Sequence, residues 1–215
     1  MQLQYGDSAA RLVSGRVAEP VANHTALRAT PTKRAKNGML ALVMTDNSVW
    51  QFNDTSVLTD DGLLVVRPSD GGTGAWLRVP GGAKISIPIT FATADAAALL
   101  TLQAGQELLL QEIFWEVTAD WTGGASSTIG VSSNKASYNT KGDLLGGAAG
   151  SLAAALTAAG TPNFGTIGAG YDTLAKRRII FKVGDVIRHD RITSAFTAGT
   201  GRVILAANIL KNAGA

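Results

Sequence analysis

Cysteine is absent from the 215-residue sequence, which excludes disulfide bonds and metal sites built on thiolates. A chain without cysteine fits assembly in a reducing cytosol. Charge is also scarce, because only 16% of the residues are Asp, Glu, Lys or Arg, against about 25% in typical globular proteins. Such a composition indicates either a surface with much exposed backbone or a surface largely covered by partner subunits, and we favour the second.

Long apolar runs and catalytic motifs are missing as well. No run of about 18 apolar residues occurs, so we expect no membrane-spanning helix, and the N-terminus has no signal-peptide pattern. The only histidines, His24 and His189, do not supply the three or four ligands of a zinc site. Asp190 follows His189, but neighbours on a strand point to opposite faces, so we expect a surface histidine in a charged turn. No phosphate-binding glycine motif is present. The sequence therefore predicts a non-enzymatic protein without catalytic residues, cofactor or metal.

Positive charge is concentrated at the N-terminus. Residues 1–36 contain six basic and two acidic residues, whereas the rest of the chain contains 13 basic and 14 acidic ones. The six basic residues are Arg11, Arg16, Arg28, Lys33, Arg34 and Lys36. With Pro20, Pro31 and polar stretches, this segment reads as an extended basic arm that lies on an acidic surface, or as a solvated tail without a partner. Within it, residues 21–29 are predicted to form a turn or two of helix, capped by Asn23 or Thr25.

Residues 37–82 read as a small module of β-hairpins. Short apolar strands are predicted at 39–45, 48–52, 63–66 and 75–79. Turn sequences separate them, among them Asn37-Gly38 and Asp60-Asp61-Gly62, which favours a meander. Trp50, Phe52 and Trp76 are its expected core. Pro80-Gly81-Gly82 marks the boundary to the next domain.

Residues 83–215 read as a β-sandwich or jelly-roll-like domain, so the whole chain is predicted to be all-β. Strands are expected at 84–91, 106–117, 128–132, 178–183, 186–189 and 201–211. Pro88 predicts an edge strand, and the last segment, apolar on both faces, predicts a central one. Short helices are expected at 93–102, capped by Thr93, and at 148–159.

Two further surface features have alternative interpretations. Lys176-Arg177-Arg178 is a tight basic cluster without aromatic neighbours, which favours an interface patch over a site for nucleic acid. The four tryptophans are either core residues or a sugar-binding face, and Trp121 is the one that we expect to be exposed. A net charge of +3 is too small to indicate specific nucleic-acid binding.

The segments TALRATP, NGMLALV, SVWQFN and DDGLLVVRPSDGGTGAWLRV together resemble a module that recurs in structural proteins of tailed bacteriophages. The second domain looks like the β-sandwich of head decoration, or cement, proteins. That similarity lies in TADWTGGASSTIGVSS, VGDVIRH and GRVILAANIL. The opening MQLQYGDSAARLVSGRVAEP is similar to the arm of such proteins.

The resemblance implies a virion protein, assembled in the bacterial cytoplasm, that binds the outside of the capsid shell and cements neighbouring subunits. Its implied partners are the major capsid protein and further copies of itself, as a dimer or trimer, with no membrane and no specific nucleic acid. The basic residues of the arm would contact the shell. The alternatives are a tail, baseplate or fibre-adaptor protein, in which the same module occurs, and a virion protein that binds or cleaves glycans.

Overall fold

The computed structural model describes residues 20–122, 129–146, 162–163, 179–191 and 196–213. The chain divides into two compact units: unit 1 comprises Met1–Gly81 and Lys211–Ala215, and unit 2 comprises Gly82–Leu210. The structure is nearly all β, with 51% strand and 3% helix, and its antiparallel sheets are consistent with a sandwich-like fold. The predicted all-β class is therefore confirmed. No helix in the described part of the chain is long and apolar enough to cross a membrane.

Unit 1 contains a four-stranded antiparallel sheet in the order β1-β2-β4-β3. Its strands are β1 (Leu40–Val43), β2 (Ser48–Asn53), β3 (Val65–Val66) and β4 (Ala75–Arg78). The predicted meander order is wrong, because β2 pairs with β4, where Phe52 lies directly opposite Trp76. The two aromatic rings pack edge to face at 5.2 Å, which favours this pairing over one between β2 and the two-residue β3.

The prediction of an extended arm does not hold for residues 20–36, because they fold into unit 1. Helix α1 (His24–Arg28) begins after Asn23, whose side chain caps it by accepting a hydrogen bond from the Ala26 N–H. Leu27 is fully buried against Trp50, Phe52 and the other members of the core. Residue 21 pairs with β1 through backbone hydrogen bonds to residues 42 and 44. Burial of Leu27 and Ala35, with the backbone pairing of Val21, therefore makes this segment part of the fold.

A residue from far along the chain completes unit 1. The side-chain amide of Asn212 donates hydrogen bonds to the carbonyl oxygens of Leu64, at 3.0 Å, and Arg78, at 2.8 Å. Asn212 is itself buried. It therefore joins the end of β4 to the residue that precedes β3.

Unit 2 contains a five-stranded and a three-stranded sheet. The larger has the order β10-β7-β12-β5, with β9 also pairing with β7, and the smaller has the order β6-β11-β8. The strands are β5 (Gly81–Thr90), β6 (Ala98–Thr101), β7 (Gln106–Thr122), β8 (Ile129–Ser133), β9 (Pro162–Asn163), β10 (Ile179–Phe181), β11 (Val186–Arg191) and β12 (Ala198–Asn212).

Two strand predictions for unit 2 are confirmed. Strand β5 ends the path of the larger sheet, and its buried Ile85, Ile87 and Ile89 alternate with exposed residues, as expected for an edge strand with Pro88 on the solvent side. Strand β12 lies between β7 and β5, and residues 203–205 are buried consecutively, so both of its faces are covered there.

Three other predictions for unit 2 are wrong. Residues 93–102 form a turn and then β6, because Ala96 has a positive φ of 59° and the leucines that follow pair with β11. Trp121 is buried, and its Nε1 donates to the Thr200 carbonyl oxygen. His189 is buried on β11 and is not a surface residue. The possible helix at 148–159 lies outside the described residues.

Candidate functional site

The basic residues predicted to bind the shell occupy three kinds of position. Arg11 and Arg16 lie outside the described residues, as does the cluster Lys176-Arg177-Arg178. Arg28 is held inside unit 1, where its Nε donates to Asp60 Oδ2 at 3.0 Å and its Nη2 to Asp60 Oδ1 at 2.5 Å. Burial alone would raise the pKa of Asp60, but hydrogen bonds from Arg28 and the Arg67 N–H outweigh it and lower that pKa. The charge of Arg28 is therefore neutralised within the protein.

Lys33, Arg34 and Lys36 are displayed together on one turn, residues 31–38, which we call the basic turn. All three side chains are exposed. Among the residues that the structure describes, none forms a hydrogen bond or ion pair with these side chains. The acidic residue that contacts the turn is Asp70, whose carboxylate accepts hydrogen bonds from the N–H and hydroxyl of Thr32. The turn therefore carries an excess of positive charge.

The basic turn has a fixed shape. Ala35, at its centre, is buried in the core of unit 1, and its N–H donates to the Pro31 carbonyl oxygen. The Gly38 N–H donates to the Phe52 carbonyl oxygen at 2.8 Å, and Gly38 has a positive φ of 79°, which glycine adopts without strain. The cations therefore extend from an ordered backbone and not from a flexible tail.

An apolar surface adjoins the basic turn. Leu42 on β1 lies directly opposite Val49 on β2, and both are about two-fifths exposed, at 38% and 41%. Met44, two residues beyond Leu42, is 58% exposed. The opposite face of these strands forms the core, so the three side chains constitute an apolar face (Leu42, Met44 and Val49) on the outside of the sheet.

The apolar face and the basic turn are connected through β2. A Cβ atom on Gly38 would lie 3.9 Å from the side-chain nitrogen of Gln51, so the end of the basic turn contacts this exposed residue. Gln51 is two residues from Val49 and points to the same side of the sheet. Gln51 thus links the end of the basic turn to the side of the sheet that carries the apolar face.

A polar cluster fixes the hairpin that carries the apolar face. Asp46 Oδ1 accepts from the Ser48 hydroxyl, which in turn accepts from Trp50 Nε1 at 2.7 Å. Asp46 Oδ2 lies 3.5 Å from both His24 Nε2 and an Arg78 guanidinium nitrogen. Burial lowers the pKa of His24 more than Asp46 raises it. This cluster has no serine-to-histidine hydrogen bond, so it orients the hairpin and does not form a catalytic triad.

The predicted core aromatics of unit 1, Trp50, Phe52 and Trp76, all lie in its buried cluster. Trp115 and Trp121 are buried in unit 2. None of the four tryptophans presents a ring to solvent, so they offer no stacking platform for a sugar.

The other charged cluster surrounds Asp190 on β11 of unit 2 and has a structural role. Asp190 accepts from the Ser132 hydroxyl at 2.9 Å and from the Gly142 N–H, whereas His189 points to the opposite face of β11. Ser132 and His189 therefore lie on different sides of Asp190, and no hydrogen bond joins the serine hydroxyl to the histidine as a nucleophile would require. No group of three or more potential metal ligands occurs in the described ranges.

Comparison with known proteins does not assign the chain to a family. No protein-family model matches the sequence. No curated protein matches it significantly.

Proposed function

We propose that the protein is a structural component of a phage virion that binds the outside of the capsid shell and cements neighbouring capsid subunits. The observation that supports this most directly is the fixed, unpaired basic turn beside the exposed apolar face of unit 1. The resemblance of unit 1 to a module of phage structural proteins agrees with it. The burial of all four tryptophans disfavours the glycan-binding alternative.

The two surface features have complementary effects on docking. Three unpaired cations attract an acidic protein surface and orient the encounter. The apolar face then contributes affinity when its side chains leave water. Because both belong to one rigid sheet and its adjoining turn, little conformational entropy is lost on binding.

Cementing follows from binding to several shell subunits at once. A protein that binds the assembled shell, and not the separated subunits, stabilises the shell by its binding free energy. Linked copies of the protein multiply a weak single-site affinity.

The copy number on heads that lack tails tests this function. A decoration protein is expected there in amounts comparable to the major capsid protein, as measured by quantitative mass spectrometry of purified tailless heads. Absence from tailless heads, with a few copies on complete particles, would overturn the proposal in favour of the tail or baseplate alternative.

Charge removal from the basic turn tests the docking surface itself. Replacing Lys33, Arg34 and Lys36 by serine removes three weak surface attractions, and we expect about tenfold weaker binding to undecorated heads at low salt. The matched control replaces three other exposed basic residues, Lys182, Arg202 and Lys211, by serine. Both variants should unfold at nearly the wild-type temperature, because none of these side chains is buried.

Equal binding by the two variants would show that the basic turn does not anchor the protein. Deleting residues 1–36 is a poor substitute for this experiment. That deletion removes Leu27 and Ala35 from the core of unit 1, so lost binding would also follow from lost folding.

A further inference from the structure

Two buried side chains meet between the sheets of unit 2. Trp115 on β7 and His189 on β11 are each 1% exposed. Their ring centroids are 6.5 Å apart and the ring planes are perpendicular. Neither Trp115 Nε1 nor His189 Nε2 has a hydrogen-bond partner among the residues that the structure describes. Buried polar atoms in native proteins are nearly always hydrogen-bonded, so this pair requires an explanation.

The chemistry of the two nitrogens is complementary. His189 Nδ1 lies 3.2 Å from the Ala94 carbonyl oxygen, which only accepts, so in the neutral ring the proton resides on Nδ1. Nε2 is then a bare acceptor. Trp115 Nε1 is a donor in every state. An unpaired donor and an unpaired acceptor thus belong to two rings in contact.

We propose that one internal water molecule binds between Trp115 and His189, accepting from Trp115 Nε1–H and donating to His189 Nε2, and that this site makes unit 2 sensitive to acid. A buried water typically joins polar groups that the protein leaves unpaired. Protonation of Nε2 would give the water two donors and leave its own hydrogens without acceptors in an apolar layer. The neutral imidazole is therefore the form that the folded unit accommodates.

The charged groups near His189 are engaged elsewhere. Asp190 points to the other face of β11, and Asp95 accepts from the Arg191 N–H and from Lys141. The neighbour of His189 on β8 is the apolar Val131, its backbone N–H donates to the Ala97 carbonyl oxygen just before β6, and the group facing it from β7 is Trp115. No carboxylate in the described part of unit 2 accepts a hydrogen bond from Nε2.

The pKa of His189 gives the direction in which the stability of unit 2 changes with pH. Burial lowers the pKa of His189 below 6.5, more than Ala94, Asp190 and Asp95 raise it, while Arg191 lowers it further. Because the unfolded chain takes up the proton first, stability is complete above pH 6.5 and falls as the pH drops from 6.5 towards the folded-state pKa. Between these two values the unfolding constant of unit 2 should rise by up to about tenfold per pH unit.

The water site is tested by NMR on the wild-type protein. Long-range ¹⁵N–¹H spectra at pH 7.5 should show a neutral His189 with its proton on Nδ1. Trp115 Nε1–H should show a magnetisation-transfer peak from water. In Trp115→Phe the nitrogen shift of Nε2 should move, because the bridge is lost. A proton on Nε2, or a Trp115 N–H with no contact to water, would overturn the proposal.

The acid sensitivity is tested by amide exchange of β7 and β11 between pH 5 and pH 7.5, corrected for the intrinsic rates. His189→Gln should lose the steep increase in opening that the wild type shows below pH 6.5. His24→Gln is the matched control, since it removes the histidine of unit 1 and should retain that increase. If folded His189→Gln protein shows the same pH profile of amide exchange as the wild type, the proposal is contradicted. If that variant does not fold, the tautomer of His189 measured by NMR on the wild-type protein still tests the proposal.

Discussion

Asp61 satisfies three backbone amides with one oxygen atom. Its Oδ1 accepts from the N–H groups of Leu63, Leu64 and Val65 at 2.8, 2.7 and 2.9 Å, so it holds the chain that enters β3. The neighbouring Asp60 is used differently, as the partner of Arg28. Two adjacent carboxylates in a turn sequence therefore have separate structural roles.

Substitution of Asp61 should separate the roles of its oxygen and its charge. Asp61→Ala leaves three amides without their acceptor and should lower the free energy of unfolding by about 2 kcal/mol. Asp61→Asn retains the acceptor, and burial already raises the pKa of Asp61 above 3.8, so loss of the charge should not destabilise the protein at pH 7. Denaturant unfolding measures both variants. Equal destabilisation by the two would show that the charge, and not the acceptor, is what matters.

The acid dependence of these two residues should have opposite signs. The raised pKa of Asp61 makes its carboxyl a source of stability below pH 3.8 that is lost as the pH rises through the folded value. The lowered pKa of Asp60 gives stability above pH 3.8 that is lost as the pH falls through its folded value. Asp61→Asn should therefore remove the first effect and leave the second.

At the scale of single residues, sequence patterns predict the local role of a side chain better than they predict whether that side chain is buried. The turn role of Asp60-Asp61-Gly62 and the Asn23 cap were both predictable, because each depends on neighbours within a few positions. The burial of Trp121 and His189 was not. Trp121 packs edge to face against Phe196, and His189 against Trp115, and both partners lie more than 70 residues away along the chain.

Elements with strict alternation were the most predictable. Strand β5 has a buried isoleucine at every second position and appears close to its expected place. In β7 the alternation holds over shorter stretches and changes phase between Leu110 and Ile113. Strand β6 was mistaken for a helix because its alanines and leucines have no strand period and favour helix locally. Its pairing with β11 overrides that preference.

Proline at position 88 should protect the edge of β5 that has no partner strand among the described residues. The Phe91 N–H donates to Gly199, so by alternation the odd-numbered amides face β12 and position 88 faces the open edge. Pro88→Val restores a donor there, and we expect a higher weight-average mass in analytical ultracentrifugation than for the wild type.

Ser86→Val is the control for that experiment. It adds the same apolar side chain to the same face of β5 without adding a backbone donor, so its mass should equal that of the wild type. If both variants associate equally, surface hydrophobicity is responsible and the edge is protected by other means.

At the scale of the molecule, unit 1 depends on both ends of the described chain. Strand β12 begins in unit 2 and ends in unit 1, where Asn212 bonds two buried carbonyl groups. No local pattern around Asn212 marks this role, since its partners are set by the path of the whole chain. Sequence patterns place a boundary at Pro80-Gly81-Gly82, and the chain beyond it returns to unit 1 at Lys211.

Asn212→Ala should destabilise unit 1 by about 2 kcal/mol, because it removes one hydrogen bond from each of the Leu64 and Arg78 carbonyl groups. Asn212→Asp should destabilise unit 1 more at pH 7 than at pH 4, since an ionised carboxylate would then face the two carbonyl oxygens. Amide exchange of β3 and β4 reports the change, and Asn208→Ala, on the same strand within unit 2, is the control. Equal exchange in all variants would show that Asn212 does not hold these strands.

The hydrogen bond between Asn212 and Arg78 also determines when unit 1 can complete its fold during translation. Arg78 is translated 134 residues before Asn212, so at about 5 to 20 residues per second roughly 7 to 27 s separate the two. During that interval the carbonyl groups of Leu64 and Arg78 lack the hydrogen bonds that Asn212 later donates. A ribosome that stops before this point releases a chain in which unit 1 lacks Asn212. Unit 1 is thus completed only after nearly the whole described chain has been made, so truncated products carry an incompletely bonded unit 1.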